Sequence, residues 1–205
     1  PDEYSHSSIR NLYLDTPDFR LIRRSLERPV YKEKLRVRSY GPAGEHDAVF
    51  VELKKKYRSV VYKRRISLPQ DLAMQCVAGM KPWPGSQVGK ELAYTADFYK
   101  ALRPAVFLSY ERDAYCGILD PDFRVTFDTE MRYRQAELTL DSDTCGVPIL
   151  DPGQVLMELK VAGGLPTWMA HVLSRQKIFK TSFSKYGAAY QDILLNGWRG
   201  ERKYA

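Results

Sequence analysis

The sequence predicts an α+β fold: an antiparallel sheet that curls into a closed or nearly closed barrel, with a polar, cationic lumen and flanking helices. Three observations carry that expectation. Segments with period-two alternation outnumber helical ones, and several are joined by short turns, which favours hairpins over a βαβ array. Most of these segments put apolar residues on one face and charged residues, mainly Lys and Arg, on the other. The chain of 205 residues also carries 32 Lys+Arg against 25 Asp+Glu, a net charge of +7, which suits an anionic partner. The length fits one domain over residues 1–205, and 44% hydrophobic with 28% charged residues is a folded composition.

In chain order, strands are expected near 8–15, 31–40, 48–57, 60–68, 106–115, 123–134 and 155–161. Helices are expected near 18–27, 70–79, 89–102, 166–175 and 185–196. The first helix reads as opened by Thr16 as N-cap and Pro17 at its first position. In the second strand Lys32, Lys34, Arg36 and Arg38 share one face, with Leu35 and Val37 behind. Phe50, Glu52, Lys54 and Lys56 share a face of the third; Val61, Lys63 and Arg65 share one of the fourth. Arg112 shares its face with Val106, Leu108 and Tyr110, so pattern alone leaves it either lumenal or a buried structural arginine. Arg124, Thr126, Asp128, Glu130, Arg132 and Arg134 alternate with Phe123, Val125 and Phe127. Glu158 and Lys160 alternate with Met157 and Leu159.

Each strand alone reads as an ordinary sheet with one solvated face. Five together, with excess Lys and Arg, point instead to an interior that holds a polyanion. Glu52-Leu53-Lys54 and Glu158-Leu159-Lys160 each set a carboxylate beside a cation on one face, and carboxylates in a phosphate pocket suit Mg²⁺ or Mn²⁺.

Other chemistries are excluded. Cys76, Cys116 and Cys145 are odd in number and widely spaced, as are His6, His46 and His171, which argues against a zinc site, a disulfide framework or a Cys–His nucleophile. There is no Gly-x-x-x-x-Gly-Lys phosphate loop and no apolar run of membrane-spanning length. Asp15-Thr16-Pro17-Asp18 reads as a turn and cap rather than a metal loop.

Eight segments in order resemble the VTC-type polyphosphate polymerase domain, within the CYTH-like triphosphate tunnel superfamily. They are Asn11–Phe19, Lys34–Gly41, Val51–Lys54, Val61–Arg65, Ser109–Ala114, Arg124–Asp128, Met157–Lys160 and Phe183–Gly187. The resemblance implies an antiparallel tunnel that binds triphosphate and metal and moves the γ-phosphate of ATP onto a growing polyphosphate chain. The catalytic cations it implies are Arg36, Arg38, Lys54, Arg112 and Arg124; the substrate-binding ones are Lys34, Lys63, Lys160 and Lys185. Glu158 is the implied ligand of a divalent Mn or Mg ion. It also implies a first strand, bearing Glu-x-Lys or Glu-Arg-Lys, ahead of position 1. ATP, triphosphate and polyphosphate are the expected partners, with a membrane-protein partner by family analogy and no specific nucleic acid. The expected setting is cytoplasmic, with membrane association through that partner. An inorganic triphosphatase or NTPase of the same fold and a non-catalytic polyphosphate-binding module are the alternatives.

Overall fold

The structure, a computed structural model, describes residues 5–58 and 60–201. Its elements run β1 His6–Asp15, α1 Arg20–Leu26, β2 Tyr31–Tyr40, β3 Ala48–Tyr57, β4 Val60–Pro69, α2 Gln70–Val77 and α3 Gln87–Tyr99. They continue with β5 Arg103–Cys116, β6 Arg124–Arg134, β7 Val147–Pro148, β8 Leu156–Lys160, α4 Thr167–Arg175 and α5 Lys185–Glu201. All strand pairs are antiparallel, in the order β4-β3-β2-β1-β5-β6, with β7 and β8 both paired to the far side of β6. The sheet curls around a cavity, but among the described residues β4 does not pair with β7 or β8, so the barrel is open along that seam.

The alternation read from β1, β2 and β3 divides two cores between the sheet faces. On the convex face Leu12, Leu14, Leu35, Val37, Val49, Val51 and Leu53 pack with Ala73, Val77, Leu92 and Tyr99 of α2 and α3. On the concave face Ile9, Tyr13, Val106, Leu108 and Tyr110 pack with Ile22 of α1 and Tyr186, Ala189 and Tyr190 of α5. The concave face is therefore half apolar, plugged by α5, and half cationic. Helix α4 covers the outer side of β6 and β8 through Met169, which joins Phe123 and Val125.

Two local expectations are corrected, and one strand is added. Helix α1 begins at Arg20, behind Phe19 in a left-handed conformation, rather than at Pro17. Its first-turn amides are met from upstream: the Asp15 carboxylate accepts from Leu21 N at 2.8 Å and Ile22 N at 3.1 Å, and Thr16 Oγ1 accepts from Arg20 N at 2.9 Å. That leaves residues 16–19 free to form a turn, closed by Phe19 N donating to Thr16 O. In β6 a bulge opposite Tyr110, with Glu130 at φ 47°, changes the phase of the strand. Met131 and Tyr133 thus enter the concave core, and Arg132 and Arg134 turn to the other face. Arg134 instead lies over the Phe107 ring, 3.7 Å from its centroid, and donates to the carbonyls of Ala136, Glu137, Asp143 and Cys145. Strand β7 has no sequence pattern of its own: two residues pair with Arg132 and Tyr133 because Gly146 lets the backbones meet. A Cβ there would lie 2.4 Å from Tyr133 O.

Candidate functional site

A cavity of about 330 Å³ opens on the concave face, lined by Lys34, Arg36, Arg38, Glu52, Lys54 and Lys63 from β2, β3 and β4. Arg112, Glu158, Lys160 and Lys185 line its other side, with Tyr13, Tyr110, Val61, Phe183 and Ser184. Eight cations thus face two carboxylates.

The strand register explains the crowding. Lys34 on β2 stands directly opposite Lys54 on β3, and Lys54 opposite Lys63 on β4, so three lysines form one row across three strands. Like charges directly opposite one another in such register destabilise a sheet. The next row inward, Arg36–Glu52–Arg65, alternates in sign. Across the cavity Arg124 stands opposite Lys160, a second like-charged pair. Of the lysine row only Lys63 meets a carboxylate, that of Glu52; Lys34, Lys54 and the Arg124–Lys160 pair are uncompensated within the sheet, and an anion relieves them.

Glu52 is the hub of the first wall. Its side chain is 1% exposed and lies 2.6 Å from Arg36, 2.7 Å from Lys63, 2.6 Å from Arg65 and 3.9 Å from Arg38. Burial opposes its ionisation, but these cations outweigh that and hold its carboxyl far below the usual range. With every oxygen engaged, Glu52 holds arginines in place rather than being a free metal ligand. Arg38 also donates to Asn11 Oδ1 and the Tyr110 hydroxyl at 3.0 and 3.2 Å, which sets the guanidinium in one orientation.

The second wall is built on Asp128, fully buried and bidentate to Arg112 at 2.6 and 2.7 Å. Lys185, first residue of α5, reaches Asp128 at 2.7 Å and Glu158 at 2.6 Å. Glu158 therefore pairs with Lys185 and, at 3.6 Å, with Arg112, and not with Lys160 on its own strand. Burial raises and these neighbours more strongly lower the Glu158 pKa, leaving it below its ordinary value. Lys185 is opposed by burial, yet Tyr110, Asp128 and Glu158 keep its pKa raised.

Between the walls lie the cations without an acid. Among the described residues no carboxylate comes within 4.0 Å of Lys34, Lys54 or Lys160. Lys34 donates only to Ser184 Oγ at 2.6 Å; burial first, then Lys54, lowers its pKa. Ser184 in turn accepts from Gly187 N at 3.0 Å, capping α5 so that its positive end faces the cavity.

Of the sequence-derived residues, Lys34, Arg36, Arg38, Lys54, Lys63, Arg112, Glu158, Lys160 and Lys185 meet in one cavity. Arg124 does not: it is exposed, on the same strand face but outside the lining, beside Lys160 at the rim. Asp128, Ser184, Tyr13 and Tyr110 were not singled out. Asp128 was legible, since it shares a strand face with Arg124 and Thr126. Ser184 carried no signal beyond adjacency to Lys185.

Set beside known proteins, this arrangement has relatives. The VTC domain family matches residues 2–194. The chain belongs to the VTC domain family. Among solved structures, a Bacillus halodurans protein provisionally described as an adenylate cyclase superposes with a TM-score of 0.55 at 16% identity, covering 89% of this chain and 81% of its own. A Hippeastrum protein, provisionally described as an adenylyl cyclase and reported with dominant triphosphatase activity, superposes at 0.53 and 12% identity, covering 91% and 83%. These likenesses establish the fold alone: the VTC domain shares its curled antiparallel tunnel architecture with these two proteins. No protein of curated function matches at the sequence level. Among the described residues no helix is long and apolar enough to cross a membrane.

Proposed function

We propose that this VTC domain binds the phosphates of ATP in the cationic cavity and transfers the γ-phosphoryl group to the end of a polyphosphate chain, with a divalent metal. The observation that carries this reading is the Lys34–Lys54–Lys63 row beside the two arginine walls: fixed charge far in excess of the acids that neutralise it, in a chain of the VTC family. In the transfer, a terminal oxygen of the acceptor forms a bond to the γ-phosphorus as the bond to the β–γ bridging oxygen breaks, and ADP leaves. Charge spreads over the moving group, and preorganised guanidinium and ammonium groups stabilise it without reorganising. Arg36, Arg38 and Arg112, locked by Glu52, Asn11 and Asp128, suit oriented phosphate contacts. Lys34, Lys54 and Lys160 act as mobile point charges. A phosphate oxyanion acceptor needs no general base, which accords with a lining that holds no histidine among the described residues.

The metal fits in one mode. Among the described residues no three His, Cys, Asp or Glu side chains form a metal cage. Glu158, 37% exposed, offers carboxylate oxygen while the triphosphate would supply the rest, the usual manner of Mg²⁺ and Mn²⁺. Bound there, the metal would neutralise developing phosphate charge.

A second reading, hydrolysis of triphosphate, is favoured by the likeness to the Hippeastrum protein. Incubation with ATP and Mn²⁺, with products resolved on a gel, separates the two. Phosphate ladders support transfer, and orthophosphate alone sinks it. Tight tripolyphosphate binding with no turnover supports a binding module instead. Cytoplasmic placement and a membrane-protein partner belong to the same proposal, on family analogy.

A further inference from the structure

The cationic rows do not end at the cavity. One step outward along the same strands, Lys32 on β2 stands directly opposite Lys56 on β3, and Lys56 opposite Val61 on β4. Val61 already lines the cavity, so this row continues its wall. Rows two residues apart are about 6.6–6.8 Å from one another, so the three successive rows from Arg36–Glu52 out to Lys32–Lys56 cover about 13 Å. Like Lys34 and Lys54 of the inner row, the outer pair has no compensating acid: among the described residues no carboxylate lies within 4.0 Å of Lys32 or Lys56, and Lys32 donates only to the Ser25 carbonyl at 3.0 Å. Glu91 pairs with Lys55 on the opposite face of β3 and does not reach this row. Burial first, then Lys56, Arg28 and Lys54, lowers the Lys32 pKa, as expected where cations crowd without an anion.

From this geometry we infer that Lys32 and Lys56 form an outer subsite for the polyphosphate chain, engaged by polymers and not by an isolated triphosphate. The inference rests on the reading of the cavity as a phosphate site and adds where the polymer leaves it. A triphosphate seated on the inner rows satisfies its own charge there. A longer chain must continue past the lip, and Lys32–Lys56 is the uncompensated pair that extends the inner lysine row along β2 and β3.

The test is binding, not turnover. Affinities for tripolyphosphate and for long-chain polyphosphate are measured by calorimetry across a salt series, for the wild type and for Lys32→Gln/Lys56→Gln. Tripolyphosphate binding is expected to stay within about twofold. Long-chain binding is expected to weaken about tenfold at low salt, with the salt slope falling by about 0.7 per lysine, the value for a single-stranded polyanion. Equal losses for both ligands, or no loss for either, overturn the subsite. A single-stranded oligonucleotide that competes as well as polyphosphate for the wild type and loses affinity in the variant also overturns its assignment to polyphosphate. A wild type that fails to bind tripolyphosphate at all sinks the underlying cavity reading instead. Circular dichroism of the variant confirms that the fold is retained; both side chains lie in partly exposed positions, so no core contact is removed.

Discussion

Replacing Glu52 by Gln keeps the shape of the hub and removes its charge, leaving Arg36, Arg38, Lys63 and Arg65 facing one another. Removing one partner of a fully buried ion pair costs about 3–5 kcal/mol. Here Glu52 is 1% exposed, but Lys63 and Arg65 are 46% and 35% exposed and keep much of their hydration, which discounts the figure. A loss of about 2–3 kcal/mol is expected, a fall in Tm of about 5–10 °C for a chain of this size. The sign with pH is also determined. The folded-state carboxyl is held below its ordinary value near 4.3, so its stabilisation is complete above that pH and is lost as pH falls towards the folded value. The gap between wild type and variant should therefore be full at neutral pH and narrow by about 1.4 kcal/mol per unit below about pH 4.3. Saturating tripolyphosphate should raise the Tm of the variant more than that of the wild type, because an anion replaces the missing charge. Thermal melts across pH, with and without tripolyphosphate, read all three. Equal melting temperatures at neutral pH, or a gap that stays constant into acid, would refute the view of Glu52 as the electrostatic hub.

Glu158→Gln should abolish Mn²⁺-dependent turnover while metal-free tripolyphosphate binding is maintained or strengthened, since Lys185 and Arg112 are released from a carboxylate; unchanged turnover removes Glu158 as metal ligand. Arg38→Gln should weaken tripolyphosphate binding at least tenfold and Arg124→Gln by less than about threefold, because only Arg38 lines the cavity; calorimetry showing the reverse order would relocate the site. Tyr186→Phe deletes a buried hydroxyl that donates to Asp15 at 2.9 Å and should cost about 1–2 kcal/mol in urea unfolding. Because Asp15 also holds α1 and Tyr186 stacks on Tyr13 with ring centroids 4.3 Å apart, tripolyphosphate affinity should fall with it; stability loss alone would confine the pair to packing.

The sequence by itself determined the strands and their faces wherever alternation ran unbroken. In β2, Lys34, Arg36 and Arg38 fall on one face because a strand has a period of two, and no tertiary contact is needed to know it. The antiparallel α+β class, most element positions and the cationic lumen follow from that pattern and from short turns. Tertiary structure decided what periodicity cannot encode. The bulge at Glu130 reverses the faces of β6 beyond Asp128, because one extra residue shifts every later side chain to the other side. Cross-strand register turns three lysines distant in sequence into one row, of which the sheet neutralises only Lys63, through Glu52. Glu52 and Glu158 look alike in sequence, each two residues before a lysine, yet one is sealed among four cations and the other stands at a surface reached by Lys185 of α5. Local chemistry fixes which groups are present; the electrostatic role of each depends on charges brought near from distant segments, and Coulomb interactions within a few ångströms are set by the fold alone.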